Sequence, residues 1–230
     1  MCPPHTTRGT NMLIVSVIYF GLALIIAIND TFFIGAPHYT IIDVILRISI
    51  LLPLLFAIVQ RNSKYAKVLY ITLWIVLLAD ATLPIFFPLG MGIFLIAHLF
   101  NIYNFSQYIE FCKEKLLSIL LPALLAYGVA FGLYFYFLFP HESLLFQIFT
   151  AVYLLVITLA WSFSMTDYVQ NRIGWALMAS LGMFLFFCTD FQVAYEFLAQ
   201  GDIPNFGFIN AFTYYIGLFL MSKATWYIQE

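Results

Sequence analysis

The chain has 230 residues, 64% of them apolar and 9% charged, with a formal net charge of −2. A soluble domain carries about a quarter charged residues, so lipid rather than water must face most of this surface. There is no basic run or basic-aromatic patch to bind nucleic acid, and the three scattered cysteines, Cys2, Cys112 and Cys188, make neither a disulfide framework nor a zinc pair.

A helix that crosses a hydrocarbon core of about 30 Å needs roughly 20 apolar residues. The first apolar run, Met12 to Ile28, is longer than a signal-peptide core and no Ala-x-Ala site follows it, so it reads as a retained span. Runs of about that length lie near 12–29, 39–60, 66–84, 86–106, 116–139, 144–165, 173–195 and 206–227. Strands cannot replace them, because an open sheet in lipid leaves backbone groups unpaired. Pro84 and Pro88 bracket a tight turn between the third and fourth runs. Asn62-Ser63-Lys64, Phe139-Pro140-His141 and Ala199-Gln200-Gly201-Asp202 are further breakers. The expected fold is all-α: a polytopic membrane bundle of about eight transmembrane helices, one transmembrane domain over 1–230.

Eight spans segregate the charges. Arg8, Arg61, Lys64, Lys67, Lys113, Lys115, Arg172 and Lys223 all fall on one side, while the opposite loops hold Asp30, Glu142, Glu196 and Asp202 and no Lys or Arg. The positive-inside rule then puts both termini in the cytoplasm. For a bacterial protein this means the inner membrane.

The ninth basic residue, Arg47, lies about two turns into the second span. Each charge at membrane depth costs roughly 2.5–3.5 kcal/mol on insertion scales, so such groups are compensated or used. They are Asp43 and Arg47 on the second span, Asp80 on the third, His98 on the fourth and Asp190 on the seventh. Alternating span direction places Asp80, Asp190 and Arg47 at a similar outer depth, with His98 nearer the midplane. His98, Asn101 and Asn104 recur every three residues and form a polar stripe. These groups are expected to converge on one cavity open to the non-cytoplasmic side.

Each also has a structural reading. Asp43 and Arg47, four residues apart, can neutralise each other on one helix face. His98 can serve as an interhelical hydrogen-bonder, and either outer Asp can pair with Arg47. Gly128-x-x-x-Gly132 on the fifth span reads as a helix-packing motif. Tyr19, Tyr103, Trp161, Trp175 and Trp226 are candidates for interfacial belts. With one intramembrane histidine among four, a three-histidine zinc centre is not expected. There is no Gly-x-Ser-x-Gly elbow and no His-Glu-x-x-His helix.

Three segments around these residues carry a family resemblance. They are Leu77-Leu78-Ala79-Asp80-Ala81, Gly92-Ile93-Phe94-Leu95-Ile96-Ala97-His98-Leu99, and Gly182 to Asp190 ending in Cys188-Thr189-Asp190. The chain resembles the YhhN-like family, which includes lysoplasmalogenases. The resemblance covers nearly the whole chain in span pattern, and more loosely the last span at Tyr214-Tyr215. Ala79 stands where the family usually has Gly, Thr189 where it has Ser, and Arg47-Ile48 where it often has Lys-Pro.

The resemblance implies hydrolysis of the vinyl ether of a lysoplasmalogen, a single-tailed lysophospholipid drawn from membrane lipid. The products are a fatty aldehyde and a glycerophospho-alcohol. That bond needs acid catalysis, and two carboxyls in a low-dielectric pocket divide into acid and base. Asp80 and Asp190 are therefore the expected catalytic pair, about 5–9 Å apart if a water works between them. Arg47, His98, Asn101 and Tyr215 are the expected substrate-binding residues, Arg47 as a phosphate partner or as a partner of an Asp. No metal or organic cofactor is called for. The alternatives are a membrane lipid hydrolase acting on amide or ester bonds, and a small transporter or lipid sensor.

Overall fold

A computed structural model describes residues 6–32, 39–139, 144–199 and 203–228. Cys2, Glu142, Asp202 and the breakers at Pro140-His141 and Gln200-Gly201 lie outside these residues. Eight helices account for most of the described chain: α1 Thr6–Phe32, α2 Tyr39–Val59, α3 Lys64–Thr82, α4 Phe87–Ser106, α5 Leu116–Leu133, α6 Leu144–Asn171, α7 Gly174–Phe197 and α8 Phe206–Ala224. A π-helical turn, Tyr134–Leu138, prolongs α5. There is no strand among the described residues. Seven helices are long and apolar enough to cross a bilayer, which makes this an integral membrane protein.

The eighth helix has 19 residues but is less apolar, because Asn210, Thr213, Tyr214, Tyr215 and Ser222 interrupt it. Tyr214, Tyr215 and Ser222 are buried, so its polarity faces protein rather than lipid. Large apolar side chains such as Leu117, Leu124, Ile41 and Val17 are the exposed ones. This inside-out distribution fits a chain whose solvent is hydrocarbon.

The helices pack as a closed ring in the order α1, α2, α3, α4, α6, α7, α8 and back to α1, with α5 outside against α6. Local chemistry sets several joints. Ser63 caps α3, its Oγ accepting from the Ala66 amide at 3.1 Å. Between α3 and α4 the chain turns so sharply that a Cβ on Gly90 would lie 2.6 Å from the Leu83 Cα. Gly182 of α7 and Gly217 of α8 let those backbones approach until a Cβ on Gly182 would meet the Gly217 carbonyl at 2.6 Å.

The packing motif expected at Gly128 and Gly132 is not the one in use. A Cβ at either position meets nothing within 4 Å, because α5 is peripheral and turns that face outward. Three of the expected belt aromatics are interior instead. Tyr19 donates to the Tyr215 carbonyl at 2.8 Å, Trp161 stacks on Phe187, and Trp175 packs between Tyr65 and Tyr108. Of the other two, Tyr103 is exposed and Trp226 lies under the Arg61 guanidinium at 3.5 Å.

The ends of the bundle follow the charge pattern. The Tyr65 amide donates to the Tyr108 hydroxyl and Asn171 donates to the Tyr108 carbonyl. Together with the Arg61–Trp226 contact, these join the α2–α3, α4–α5, α6–α7 and α8 termini into the end that bears the Lys and Arg residues. At the other end, Asp30 of α1 packs against Gly207 of α8, where a Cβ would fall 2.7 Å from the Asp30 carbonyl carbon.

Candidate functional site

The site is assembled from seven helices of the ring, near the end that carries Asp30. Asp80 comes from the last turn of α3 and is 1% exposed. Its Oδ2 accepts a hydrogen bond from the Tyr214 hydroxyl of α8 at 2.8 Å. Asp190, late in α7, is the centre of a second cluster. Its Oδ2 accepts from the Tyr153 hydroxyl of α6 at 2.6 Å and lies 2.9 Å from His98 Nε2 of α4. His98 Nε2 and the Tyr153 hydroxyl are themselves 3.1 Å apart. Phe186 packs on the His98 ring with centroids 5.0 Å apart, fixing the ring's rotation.

Arg47 stands beside both clusters but is engaged elsewhere. Its Nε donates to Asp43 at 2.7 Å and its Nη2 to Asp30 at 3.0 Å. The pairing with Asp43 follows from their spacing of four on one helix. The pairing with Asp30 joins α2 to the end of α1, a contact that no local spacing reveals.

Asp80, Asp190 and Arg47 line one cavity of about 20 Å³, together with Leu83, Met91, Phe94, Thr189, Val193, Asn210 and Tyr214. That volume has room for about one water molecule. A larger cavity of about 440 Å³ adjoins it at Arg47, Leu83, Val193 and Asn210. Asp30, Asp43 and Arg47 form its polar side, and Phe87, Phe197 and Phe206 are among its apolar walls. It lies within the usual size range of a small-molecule site, at the end of the bundle opposite the basic loops.

Depth and rotation thus bring Asp80, Asp190, Arg47 and His98 together. Asn101 and Tyr215 are not among the residues lining the small cavity. Asn101 is buried one turn further along α4, and its side chain makes no hydrogen bond among the described residues. Tyr215 lines a separate apolar groove of about 210 Å³ on the α1 side, while its buried hydroxyl lies near Arg47 without a hydrogen-bond partner among the described residues. Its neighbour Tyr214 is the tyrosine that reaches Asp80. Tyr153 carries no local signal in the sequence, because a tyrosine within an apolar run looks like its neighbours. Among the described residues, no group of three or more His, Cys, Asp or Glu side chains converges in a metal-binding arrangement.

The YhhN family profile matches residues 42–225, four fifths of the chain and every site residue from Asp43 to Tyr215. The chain belongs to the YhhN family. No curated protein and no solved structure matches it. Among the segments that carry the family likeness, Asp80, His98 and Asp190 stand on three different helices, and all three side chains belong to the two hydrogen-bonded clusters at the cavity. The Thr189 hydroxyl bonds Thr213 of α8 at 2.9 Å and the Leu185 carbonyl at 3.0 Å, a polar tie between α7 and α8 beside Asp190.

Proposed function

We propose that this protein is an integral-membrane lysoplasmalogenase, hydrolysing the vinyl ether of a lysoplasmalogen with Asp80 and Asp190 as its acid–base pair. The observation that carries this reading is the water-sized cavity that both carboxyls line, set against a vestibule of about 440 Å³. The family membership supports it.

The chemistry follows from the hydrogen bonds. Asp190 Oδ2 is surrounded by donors, Tyr153 and His98, which suits a carboxylate acting as base. Asp80 is held by one donor, Tyr214, and serves as the acid. Asp80 transfers its proton to the vinyl carbon remote from oxygen, generating an oxocarbenium ion. Asp190 takes a proton from the water that adds to the carbon bearing oxygen. The resulting hemiacetal collapses as Asp190 returns that proton to the glycerol oxygen. The hemiacetal hydroxyl proton passes to Asp80. One water is consumed, an aldehyde and a glycerophospho-alcohol leave, and both acids regain their starting forms.

His98 and Tyr153 orient Asp190, and Tyr214 orients Asp80. The head group occupies the vestibule near Arg47, and the single tail leaves between helices into the bilayer. The basic loops lie in the cytoplasm with both termini, so the vestibule opens on the other side.

The test is aldehyde release from lysoplasmalogen by purified protein. Asp80→Asn and Asp190→Asn should fold and lose at least about a hundredfold in rate, the lower range for losing acid–base catalysis. Near-normal turnover by either variant rejects the pair. A chelator should leave the rate unchanged. Inhibition that zinc reverses points instead to a metal-dependent lipid hydrolase, and uptake of lysolipid into liposomes without product points to a transporter.

A further inference from the structure

The groove of about 210 Å³ between α1 and α8 opens on the bilayer side of the ring. Phe20, Leu24, Phe208 and Phe212 line it and are 41% to 59% exposed, so they form its lipid-facing rim. Ala27, Ala211 and Tyr215 are buried and form its floor. On each helix the lining residues recur every three or four positions and share one face. α1 is one of the apolar spans, so the groove lies in hydrocarbon. Left empty there, its walls would forfeit their dispersion contacts, so a hydrocarbon chain is the occupant that fits.

Its position says which chain. α1 and α8 are antiparallel and are tied at two levels. At the vestibule end Gly207 packs on Asp30, and both residues line the vestibule. Further inward the Tyr19 hydroxyl donates to the Tyr215 carbonyl at 2.8 Å. The groove begins at Ala27 and Phe208, just inward of the first tie, and runs toward the basic end as far as Phe20 and Ile216. That is about 10 Å along α1 and about 12 Å along α8. One leaflet of a bilayer is about 15 Å deep in hydrocarbon. The groove thus has the direction and most of the depth of a lipid tail whose head group sits at the vestibule. It is also the near neighbour of the acids. Asn210 and Tyr214 of α8 line the small cavity with Asp80 and Asp190, and the next residues in the chain, Ala211 and Tyr215, line the groove. The Tyr215 ring is a wall between the two, with its buried hydroxyl near Arg47.

We propose that the α1–α8 groove is the tail subsite: it holds the single hydrocarbon chain of a lysolipid whose head group occupies the vestibule, the chain threading between α1 and α8 inward of the Asp30–Gly207 contact. Chain-length preference is then set by Ala23, Ala27 and Ala211, whose small side chains keep the groove open. That this lipid is the substrate rests on the hydrolase reading; that a single-chain lipid binds here does not.

The binding test uses a 1-O-alkyl lysophospholipid, which has no vinyl bond to cleave, carrying a diazirine at mid-chain, with the full chain in nanodiscs of diacyl phospholipid. Photolabel should fall on 20–27 and 208–216, and excess unlabelled ether lysolipid should suppress it. Label spread around the bundle or gathered on α5 overturns the subsite. So does label at the groove that unlabelled lysolipid leaves undiminished, which marks it as a site for bulk lipid. The activity test fills the groove with Ala23→Leu or Ala211→Leu. Each should lower kcat/KM for a long-chain lysoplasmalogen about tenfold relative to one whose chain is too short to reach the groove. Gly128→Leu on the outer face of α5, where a Cβ meets nothing within 4 Å, should leave that ratio unchanged. Equal losses on both substrates, or none, overturn the role in chain selection. Ala23 is only partly buried, so its variant carries the test if the larger side chain at Ala211 prevents folding. Wild-type protein that releases no aldehyde counts against the hydrolase reading instead, and the photolabel pattern still decides the subsite.

Discussion

Arg47 is placed between two needs. Its guanidinium is shared by Asp43 and Asp30, while its position lets it line both cavities. Asp43 is 1% exposed, so removing the arginine strands a buried carboxylate. Arg47→Gln should therefore destabilise the protein by about 3–5 kcal/mol, and adding Asp43→Asn should recover part of that loss. Thermal unfolding of the two variants in one detergent measures the difference. The adjacent tyrosines provide a second residue-level test. Tyr214→Phe removes the donor to Asp80 and should lower kcat about tenfold, the worth of a hydrogen bond to a charged group. Tyr215→Phe, whose hydroxyl has no partner among the described residues, should have the smaller effect on kcat. The reverse order would move the acid's support from Tyr214 to Tyr215.

At the scale of elements, small residues matter only where two backbones meet. Gly182 and Gly217 form the α7–α8 crossing, and those two helices carry Asp190 and Tyr214. Gly182→Leu forces that crossing apart and should cost about 1–3 kcal/mol, with activity lost alongside because the two clusters separate. Gly128→Ala, on the outer face of α5, should change stability by no more than about 0.5 kcal/mol. Both values come from unfolding of the purified protein. A large penalty at Gly128 would mean that the face packs against a partner outside this chain. The length of α6 also has consequences. The apolar run read from the sequence ends at 165, but the helix continues to Asn171. That extension buries Asp167, an acid which the apolar pattern assigns to a loop.

For the whole molecule, the ring closes the polar residues inside and leaves α5 and the aliphatic faces to lipid. Orientation can be tested by single-cysteine labelling in intact cells. A cysteine replacing Ile85, exposed at the vestibule end, should react with a membrane-impermeant thiol reagent added outside, and one replacing Lys113 should react only after permeabilisation. The opposite pattern inverts the topology. Among the described residues, the polar side of the vestibule carries two carboxylates to one guanidinium. Lysolipids with zwitterionic head groups should accordingly show a higher kcat/KM than anionic ones, by a margin that shrinks as salt screens the site. A preference for anionic head groups would return Arg47 to the role of phosphate partner.

Much of this was legible in the sequence because its causes are local. Span length follows from bilayer thickness, the common end of the basic residues from alternating direction, and the depth of Asp80, Asp190 and Arg47 from counting along each helix. The Asp43–Arg47 pair follows from a spacing of four. Rotation about each helix axis does not, because it is set by packing against helices distant in the chain, and the all-round apolar character of α3 to α8 leaves little moment to read it from. For that reason only the tertiary structure decided that Tyr214 and not Tyr215 meets Asp80, that Tyr153 joins His98 on Asp190, that Asp30 returns to Arg47, and that the Gly128–Gly132 face points outward. The sequence by itself determined a membrane bundle with acids at one level. Packing between distant helices determined which atoms those acids touch.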